Sequence, residues 1–333
     1  MQWFRKPKGD NRASVRYDDK DTKILSTNNY LWAMNSKLTG HLACAAAYGI
    51  FGLNIVFCKD IANADTVSPE ALFGMRMFLA AAIFWLVSLF TQKENVPLKD
   101  IGAMALAGVI GLAMPQYTFL KGITMSSTID CSIIGSLTPM WAMIFAAIFL
   151  KEPITGKKVL GVVTSLAGAM LLIFTSLHFR GGQQSSTLGG IALLVANCFT
   201  FGAYLGIFRP LTQRYSIVTL MKWMFLFAAV VAIPLSLKPI LTVDYASVTP
   251  KLALEIAYLI VLATFVAYFL IPAGQRRLRP TIVSMYTYLQ PIIAVVVSIF
   301  AGMDVLTWQK VLAIVLVFAG VWIVNKSRAA HAE

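Results

Sequence analysis

Residues Gly122–Ala169 read GITMSSTIDCSIIGSLTPMWAMIFAAIFLKEPITGKKVLGVVTSLAGA, and a related stretch follows 152 positions later. Moving the sequence by that distance aligns identical residues, namely Gly122 with Gly274, Ser132 with Ser284, Pro139 with Pro291 and Lys158 with Lys310. Apolar residues match by chance in an apolar sequence, but prolines and lysines in register do not. We therefore predict an internal duplication.

The composition predicts a membrane protein. Charged residues make up 13% of the 333 positions and hydrophobic residues 58%. A soluble domain carries about 25% charged residues, so this chain cannot cover an apolar core for water. Apolar runs of about 20 residues recur, each long enough to cross a hydrocarbon core of roughly 30 Å. We expect an all-α integral membrane protein in a lipid bilayer, because the edges of an open sheet stay unpaired in lipid.

Ten apolar segments predict ten transmembrane helices, five on each side of a polar linker. The segments are Leu38–Cys58, Glu70–Thr91, Leu98–Leu120, Ser127–Leu150, Pro153–Phe174, Leu188–Phe208, Ile217–Leu237, Leu252–Ile271, Thr281–Ala301 and Leu306–Asn325. The expected organisation is a basic cytosolic tail (1–37), a first five-helix repeat (38–174), a linker (175–187), a second five-helix repeat (188–325) and a cytosolic C-terminal tail (326–333).

The basic residues predict the orientation. With the N-terminus inside, 20 Lys and Arg residues fall in cytosolic segments and 6 in outer segments. The positive-inside rule then places both termini in the cytosol, for spans in the plasma (inner) membrane. Because each half has an odd number of helices, the second half enters from the opposite side, as in the inverted-topology repeats of secondary transporters. The net charge of +13 follows from this bias and needs no nucleic acid as a partner.

Motifs for other chemistry are lacking. The sequence holds no GxxxxGK(S/T) loop, no HExxH and no metal-ligand spacing among its four cysteines. We expect no ATP hydrolysis, no cofactor, no metal site and no enzymatic activity.

Two prolines mark the middle of their spans. Pro139 and Pro291 each lie about halfway along, where a proline removes a backbone donor and kinks the helix. The freed carbonyls can face a cavity. A structural kink and a moving hinge both stay open.

Polar residues within the spans predict a substrate cavity. Ser132 and Ser136 share a helical face with the first of these prolines, and Ser284 and Tyr288 repeat that spacing before the second. Serine hydroxyls also join helices, so a packing role stays open for them. The candidates for a cavity of amide, hydroxyl and aromatic groups are Tyr48, Asn54, Gln116, Ser132, Ser136, Asn197, Tyr268, Ser284, Tyr286, Tyr288 and Gln290.

Charged residues within the spans are candidates for gating, coupling or an ion pair, whereas the acids at the predicted helix starts are interpreted as structural. Arg76 lies six residues into its span; a central arginine costs about 2.5–3.5 kcal/mol, so we expect it to snorkel outward or find a partner. Asp130 is a candidate partner, and gating, coupling or a structural ion pair all stay open for the two. Glu152 and Asp304 stand at predicted helix starts, where acids satisfy free amide groups, so we interpret them as structural.

The chain resembles the ten-helix EamA type of the drug/metabolite transporter superfamily. The residues that carry the resemblance are Ser68-Pro69 and Arg76 at the second span, Leu150-Lys151-Glu152-Pro153-Ile154-Thr155 after the fourth, and Gly161 with Ala167-Gly168 in the fifth. The second half departs from this pattern, with Asp304-Val305 in place of Glu152-Pro153 and Trp223 where Arg76 aligns.

The resemblance implies a secondary transporter that carries small polar metabolites by alternating access, often exporting amino acids or related compounds. A passive facilitator or channel fits the same cavity. A sugar-phosphate or nucleotide-sugar carrier is disfavoured because its solute needs several cationic residues in the cavity, and the sequence offers only Arg76 and Lys222 as candidates for that place. The expected partner is a small-molecule solute, and a homodimer stays open.

Overall fold

A computed structural model describes residues 19–126, 131, 134–177, 187–300 and 307–327. Within these ranges the chain is helical between short connections and contains no strand. The first half holds α1 Asp19–Ala64, α2 Pro69–Ser88, α3 Leu98–Gly108, α4 Met114–Thr124, α5 Thr138–Leu150 and α6 Gly156–Leu177. The second half holds α7 Leu188–Ile207, α8 Arg209–Arg214, α9 Ile217–Leu241, α10 Pro250–Ile260, α11 Ala267–Arg277, α12 Pro280–Met285, α13 Leu289–Phe300 and α14 Trp308–Asn325.

Seven helical stretches of the described residues are long and apolar enough to cross a membrane. They are Lys37–Ala64, Pro69–Ser88, Leu98–Thr124, Leu188–Ile207, Ile217–Leu241, Pro250–Arg277 and Trp308–Asn325, and α5 is a shorter apolar helix. The prediction of an all-α membrane protein is confirmed. The number of ten crossings stays a prediction.

The first helix begins earlier than its predicted span. The sequence analysis places a tail over 1–37, but α1 starts at Asp19 and becomes apolar enough to cross a membrane from Lys37 onward. Residues 19–36 contain neither proline nor glycine, so no residue type that ends a helix separates the polar part from the span. The polar segment therefore extends the first helix.

The expectation that a helix starts at Glu152 is wrong, because α6 begins at Gly156. Thr155 caps this helix instead, its hydroxyl oxygen accepting from the Lys158 backbone N–H at 3.3 Å. Lys151 turns the chain with a φ of 54°. The Glu152 carboxylate is thereby directed to the Lys158 ammonium at 2.9 Å. Asp304, the matching acid of the second half, lies outside the described residues.

The two halves run through the bundle in opposite directions. The Lys59 ammonium, near the end of α1, donates to the Ile123 carbonyl at 3.2 Å. The Thr187 N–H, just before α7, donates to the Met125 carbonyl at 3.0 Å. The end of α1 and the start of α7 therefore lie side by side. Because α1 and α7 are the first spans of their halves, the duplication is an inverted repeat.

Helix packing follows a pseudo-two-fold relationship. The equivalent helices α2 and α9 pack together, as do α6 and α14. In addition α1 packs against α11 and α13, while α7 packs against α4 and α5, so each first span contacts the third and fourth spans of the other half. The third spans also share an irregularity, since the π-helices Val109–Ala113 and Val261–Val266 begin one repeat period apart.

Candidate functional site: a polar cavity between the repeats

A cavity of about 90 Å³ lies between the two halves. Side chains from helices of both repeats line it: Phe51, Asn54, Ile55, Arg76, Pro115, Gln116, Phe119, Cys131, Gly135, Thr138, Leu194, Asn197, Cys198, Phe201, Tyr268, Thr287 and Gln290. This volume is enough for several water molecules or a few heavy atoms of a solute. The lining combines amides, hydroxyls and aromatic rings with one guanidinium.

Equivalent residues of the two repeats form opposite walls of this cavity. Three pairs in the lining are each separated by the period of the duplication, 152 residues, and they are Gln116 with Tyr268, Gly135 with Thr287, and Thr138 with Gln290. A set of symmetry-related positions that meets in one place lies on the symmetry axis. The pseudo-two-fold axis therefore passes through the cavity.

Helix interruptions create two of these walls. The chain turns at Ser136-Leu137 before α5, and a 3₁₀ segment Tyr286–Tyr288 separates α12 from α13. Both interruptions come directly before the prolines that the sequence analysis placed at midspan. At the first, the Thr138 hydroxyl donates to the Gly135 carbonyl at 2.9 Å, which satisfies one backbone group that the break has freed. The cavity is thus built where the backbone leaves regular geometry.

The π-helix of the second half positions the arginine of the cavity. The Thr264 hydroxyl donates to the Leu259 carbonyl at 2.7 Å, five residues earlier. Its oxygen accepts from Arg76 Nε at 2.8 Å. Because the hydroxyl proton is used within the helix, the oxygen presents a lone pair to the guanidinium. The two hydrogen bonds hold the arginine side chain in one orientation.

Arg76 does not snorkel outward; of the two outcomes that the sequence left open, it takes the other and finds a partner inside the protein. Its side chain is 3% exposed and lines the cavity. Within the described residues no carboxylate lies within 4.0 Å of its nitrogens, and Thr264 is its hydrogen-bond partner. Asp130, the partner that the sequence suggested, lies outside the described residues. The cavity therefore has a cationic wall.

The four amide side chains in the lining differ in how they are satisfied. Asn197 Nδ2 donates to the Pro115 carbonyl at 2.7 Å, and Asn54 Oδ1 accepts from the Cys58 thiol at 3.8 Å. Gln116 is 5% exposed, and neither its Oε1 nor its Nε2 has a hydrogen-bond partner among the described residues. A buried amide without partners is costly. Gln116 is the group most in need of a polar ligand.

Several predicted cavity residues lie elsewhere. Tyr48 and Tyr288 are fully buried in the core. The Ser284 hydroxyl donates to the Thr281 carbonyl of its own helix at 2.9 Å, and the Tyr286 hydroxyl lies 2.7 Å from a ring nitrogen of His41. Ser136 is buried in the turn before α5 without lining the cavity, and Ser132 lies outside the described residues.

The expected serine face fails for a geometric reason. Spacings of four and seven residues share a face only along an unbroken helix, and both spans are interrupted before their prolines. The residues that reach the cavity are instead those one and four positions before each proline, Thr138 and Gly135 in one half and Gln290 and Thr287 in the other. Of these only Gln290 was a candidate. The repeat period alone would have led from Gln290 to Thr138, but not to Gly135 or Thr287.

Ion pairs join the two halves at both ends of the bundle. At the end that holds α8, which we call the basic end, Arg214 Nη1 donates to Asp100 Oδ2 at 2.8 Å. At the opposite end the Lys251 ammonium lies 3.0 Å from Asp60 Oδ2. Movement of one half against the other changes both sets of contacts.

Comparison with known proteins places the chain among transporters. The model of the EamA-like transporter family matches residues 38–174 and 188–326. The uncharacterized transporter YyaM of Bacillus subtilis (strain 168) is 24% identical over 256 residues, covering 76% of this chain and 83% of that protein. The WAT1-related protein At5g13670 of Arabidopsis thaliana is 21% identical over 291 residues, covering 78% and 76%. One solved crystal structure shares the fold, with a TM-score of 0.69 at 16% identity over 87% of this chain and 96% of that one.

Proposed function

The chain belongs to the EamA-like transporter family, and from this we propose that it is a secondary transporter that carries small polar metabolites through the axial cavity by alternating access. The proposed direction is export, with amino acids or related compounds as solutes. The proposed setting is the inner membrane with both termini in the cytosol, which puts the basic end inside.

The observation that carries this proposal is the position of the cavity on the pseudo-two-fold axis. In an inverted repeat, the two halves can exchange conformations, and the exchange turns an opening at one end into an opening at the other. A site on the axis can stay between the two repeats in both states, because both repeats contribute to its walls. The pair Gln116 and Tyr268 supports this argument, since both reach the cavity from the third spans.

The charge of the lining supports a solute other than a phosphate ester. A phosphate group carries about −1.5 to −2 charges at neutral pH, and Arg76 is the cationic side chain among the described lining residues. Lys222, the other basic residue that the sequence suggested for the cavity, lies 5.1 Å from the centre of the Trp85 ring and outside the lining. One cation with several amides suits a small solute with at most one net negative group.

Two glycines provide a matched pair for testing the cavity. A Cβ at Gly135 or at Gly102 would have no heavy atom within 4 Å. Gly135 lines the cavity, whereas Gly102 is exposed on the outside of the bundle. A leucine should therefore be tolerated at both positions and should fill the cavity only at the first.

The experiment profiles metabolites in the medium of cells that overproduce the intact protein, Gly135→Leu or Gly102→Leu. We expect one or a few solutes to accumulate outside with the intact protein and with Gly102→Leu, and not with Gly135→Leu. The same solute should show saturable counterflow in proteoliposomes. Equal accumulation with Gly135→Leu would remove the cavity from the pathway, and flux without saturation or counterflow would identify a channel.

A further inference from the structure

The guanidinium of Arg76 has donors for which the described part of the chain supplies no acceptor. Nε is hydrogen-bonded to Thr264, and no acceptor among the described residues bonds the two terminal nitrogens. The side chain is 3% exposed, so bulk water does not solvate it. A buried cation without a counter-ion is unfavourable in a protein within lipid. An anionic group in the cavity would remove that cost.

The orientation of the guanidinium decides which anion fits. Because Thr264 occupies the Nε edge, the edge that remains is the one formed by Nη1 and Nη2. Two parallel N–H groups on one edge match the two oxygens of a carboxylate, which is the geometry of a bidentate pair. The geometry thus favours a planar carboxylate over a spherical halide.

Gln116 supplies a second polar group from the first repeat's third span. It is 5% exposed, lines the same cavity and leaves both amide atoms unpaired among the described residues. Its N–H groups can donate to a carboxylate, and its carbonyl oxygen can accept from a neighbouring ammonium or hydroxyl. One amide of this kind suits a zwitterion better than a plain anion.

The cation breaks the symmetry of the site. Trp223, which aligns with Arg76 in the second repeat, packs edge-to-face against Trp85, with the ring centres 5.5 Å apart, and does not line the cavity. Among the described lining residues the charge therefore comes from the first repeat alone. A solute with one carboxylate would bind in a single orientation.

We propose that Arg76 and Gln116 bind the carboxylate of the transported solute, and that Thr264 is a positioning residue that fixes the guanidinium for this contact. This inference rests on the proposed function and narrows its substrate to monocarboxylates, with free amino acids as the class that the neighbouring amide suits. A solute whose carboxylate is converted to a primary amide loses the charge while its size stays nearly the same.

The experiment measures thermal stabilisation of the purified full chain by the proteinogenic L-amino acids and by the primary amide of each. We expect at least one acid to raise the melting temperature and its amide not to do so. Arg76→Gln should abolish this preference. Thr264→Val should weaken binding of the acid by about 10- to 100-fold, the effect of losing a hydrogen bond to a charged group, and Thr264→Ser should restore it.

Further variants separate folding from binding. Gln116→Leu removes an unpaired amide, so it should fold at least as stably as the parent and bind the acid more weakly. Gly102→Ala, on the outside of the bundle, should leave binding unchanged. Stabilisation by acids and amides alike, by no acid at all, or unchanged preference in both Gln116→Leu and Arg76→Gln would overturn the inference.

Transport assays distinguish a failure of this inference from a failure of the proposed function. If proteoliposomes exchange an amide as fast as its acid, the transporter function stands and carboxylate recognition by Arg76 is wrong. If acids stabilise the protein through Arg76 but no solute is exchanged, the recognition stands and the transport proposal is wrong.

Discussion

The Ser165 hydroxyl donates a hydrogen bond of 3.0 Å to the carbonyl oxygen of Val317, the residue that lies one repeat period, 152 positions, further along the chain. Two symmetry-equivalent positions can touch each other only near the symmetry axis. The crossing of α6 and α14 is therefore on the pseudo-two-fold axis, as is the polar cavity. The axis therefore passes both through the contact between α6 and α14 and through the polar cavity.

Glycines at this crossing should be sensitive to a single methyl group. A Cβ on Gly161 would lie 2.6 Å from the Gly320 carbonyl oxygen, and one on Gly168 would lie 2.7 Å from the Ala313 carbonyl oxygen. The pairs Gly161–Gly320 and Gly168–Ala313 are related by the axis, because each residue of one pair lies one repeat period from a residue of the other. We expect Gly161→Ala and Gly168→Ala each to destabilise the protein by about 1–3 kcal/mol, the usual cost of overpacking, measured by thermal unfolding in detergent.

Gly156→Ala is the matched control, because a Cβ there would meet no heavy atom within 4 Å. Gly161→Ala and Gly320→Ala alter one contact, so their combined effect should be smaller than the sum of the two. Fully additive effects would show that α6 and α14 do not cross at these residues.

The duplication in the sequence predicts more of the fold than of the candidate site. The register of the two prolines indicates two repeats, and the odd number of predicted spans in each indicates that the repeats are inverted. The site depends on local departures from helical geometry that no periodicity contains. The break before Pro139 moves Ser136 away from the cavity and brings in Thr138. The π-helix lets Thr264 serve as the internal partner of Arg76, a role for which the sequence had suggested Asp130.

Replacing one member of the buried ion pair of Glu152 and Lys158 should destabilise the protein more than replacing both members. The two groups lie 2.9 Å apart with 6% and 1% exposure, and Arg209 of the second half approaches the same carboxylate at 3.8 Å. Glu152→Gln leaves a buried ammonium without its counter-ion, so we expect a loss of about 3–5 kcal/mol in the free energy of unfolding. Glu152→Gln combined with Lys158→Met should recover most of it. A double variant less stable than Glu152→Gln would contradict this reasoning.

Glu94 should make the stability of the basic end depend on pH. Its carboxylate accepts from the Ser216 N–H at 3.0 Å and from the Ser216 hydroxyl at 3.0 Å, ahead of α9 in the other half. Burial raises the pKa of Glu94, but hydrogen bonds from Thr219 and Ser216 and the charge of Arg276 outweigh it, so the pKa lies below its ordinary value of 4.5. A depressed pKa contributes stability above the unfolded value that is lost as the pH falls through the folded one.

Glu94→Gln should therefore lower the melting temperature at neutral pH, and the difference from the parent should shrink as the medium is acidified below the ordinary pKa of 4.5. Thermal unfolding of both proteins across that range measures the effect. A difference that stays constant with pH would show that the charge of Glu94 contributes nothing to the contact.

Alternating access predicts that each wall position of the cavity is reached from both sides of the membrane, one side at a time. Gly135 and Thr287 are separated by the repeat period and both line the cavity. In a background without Cys44, Cys58, Cys131 and Cys198, we expect Gly135→Cys and Thr287→Cys each to react with a membrane-impermeant thiol reagent added to either side. The reagent itself should stay on the side of addition, because the cavity of a carrier never opens to both sides together. Labelling from one side only in both variants would contradict the exchange of conformations, and leakage of the reagent across the membrane would indicate a continuous pore.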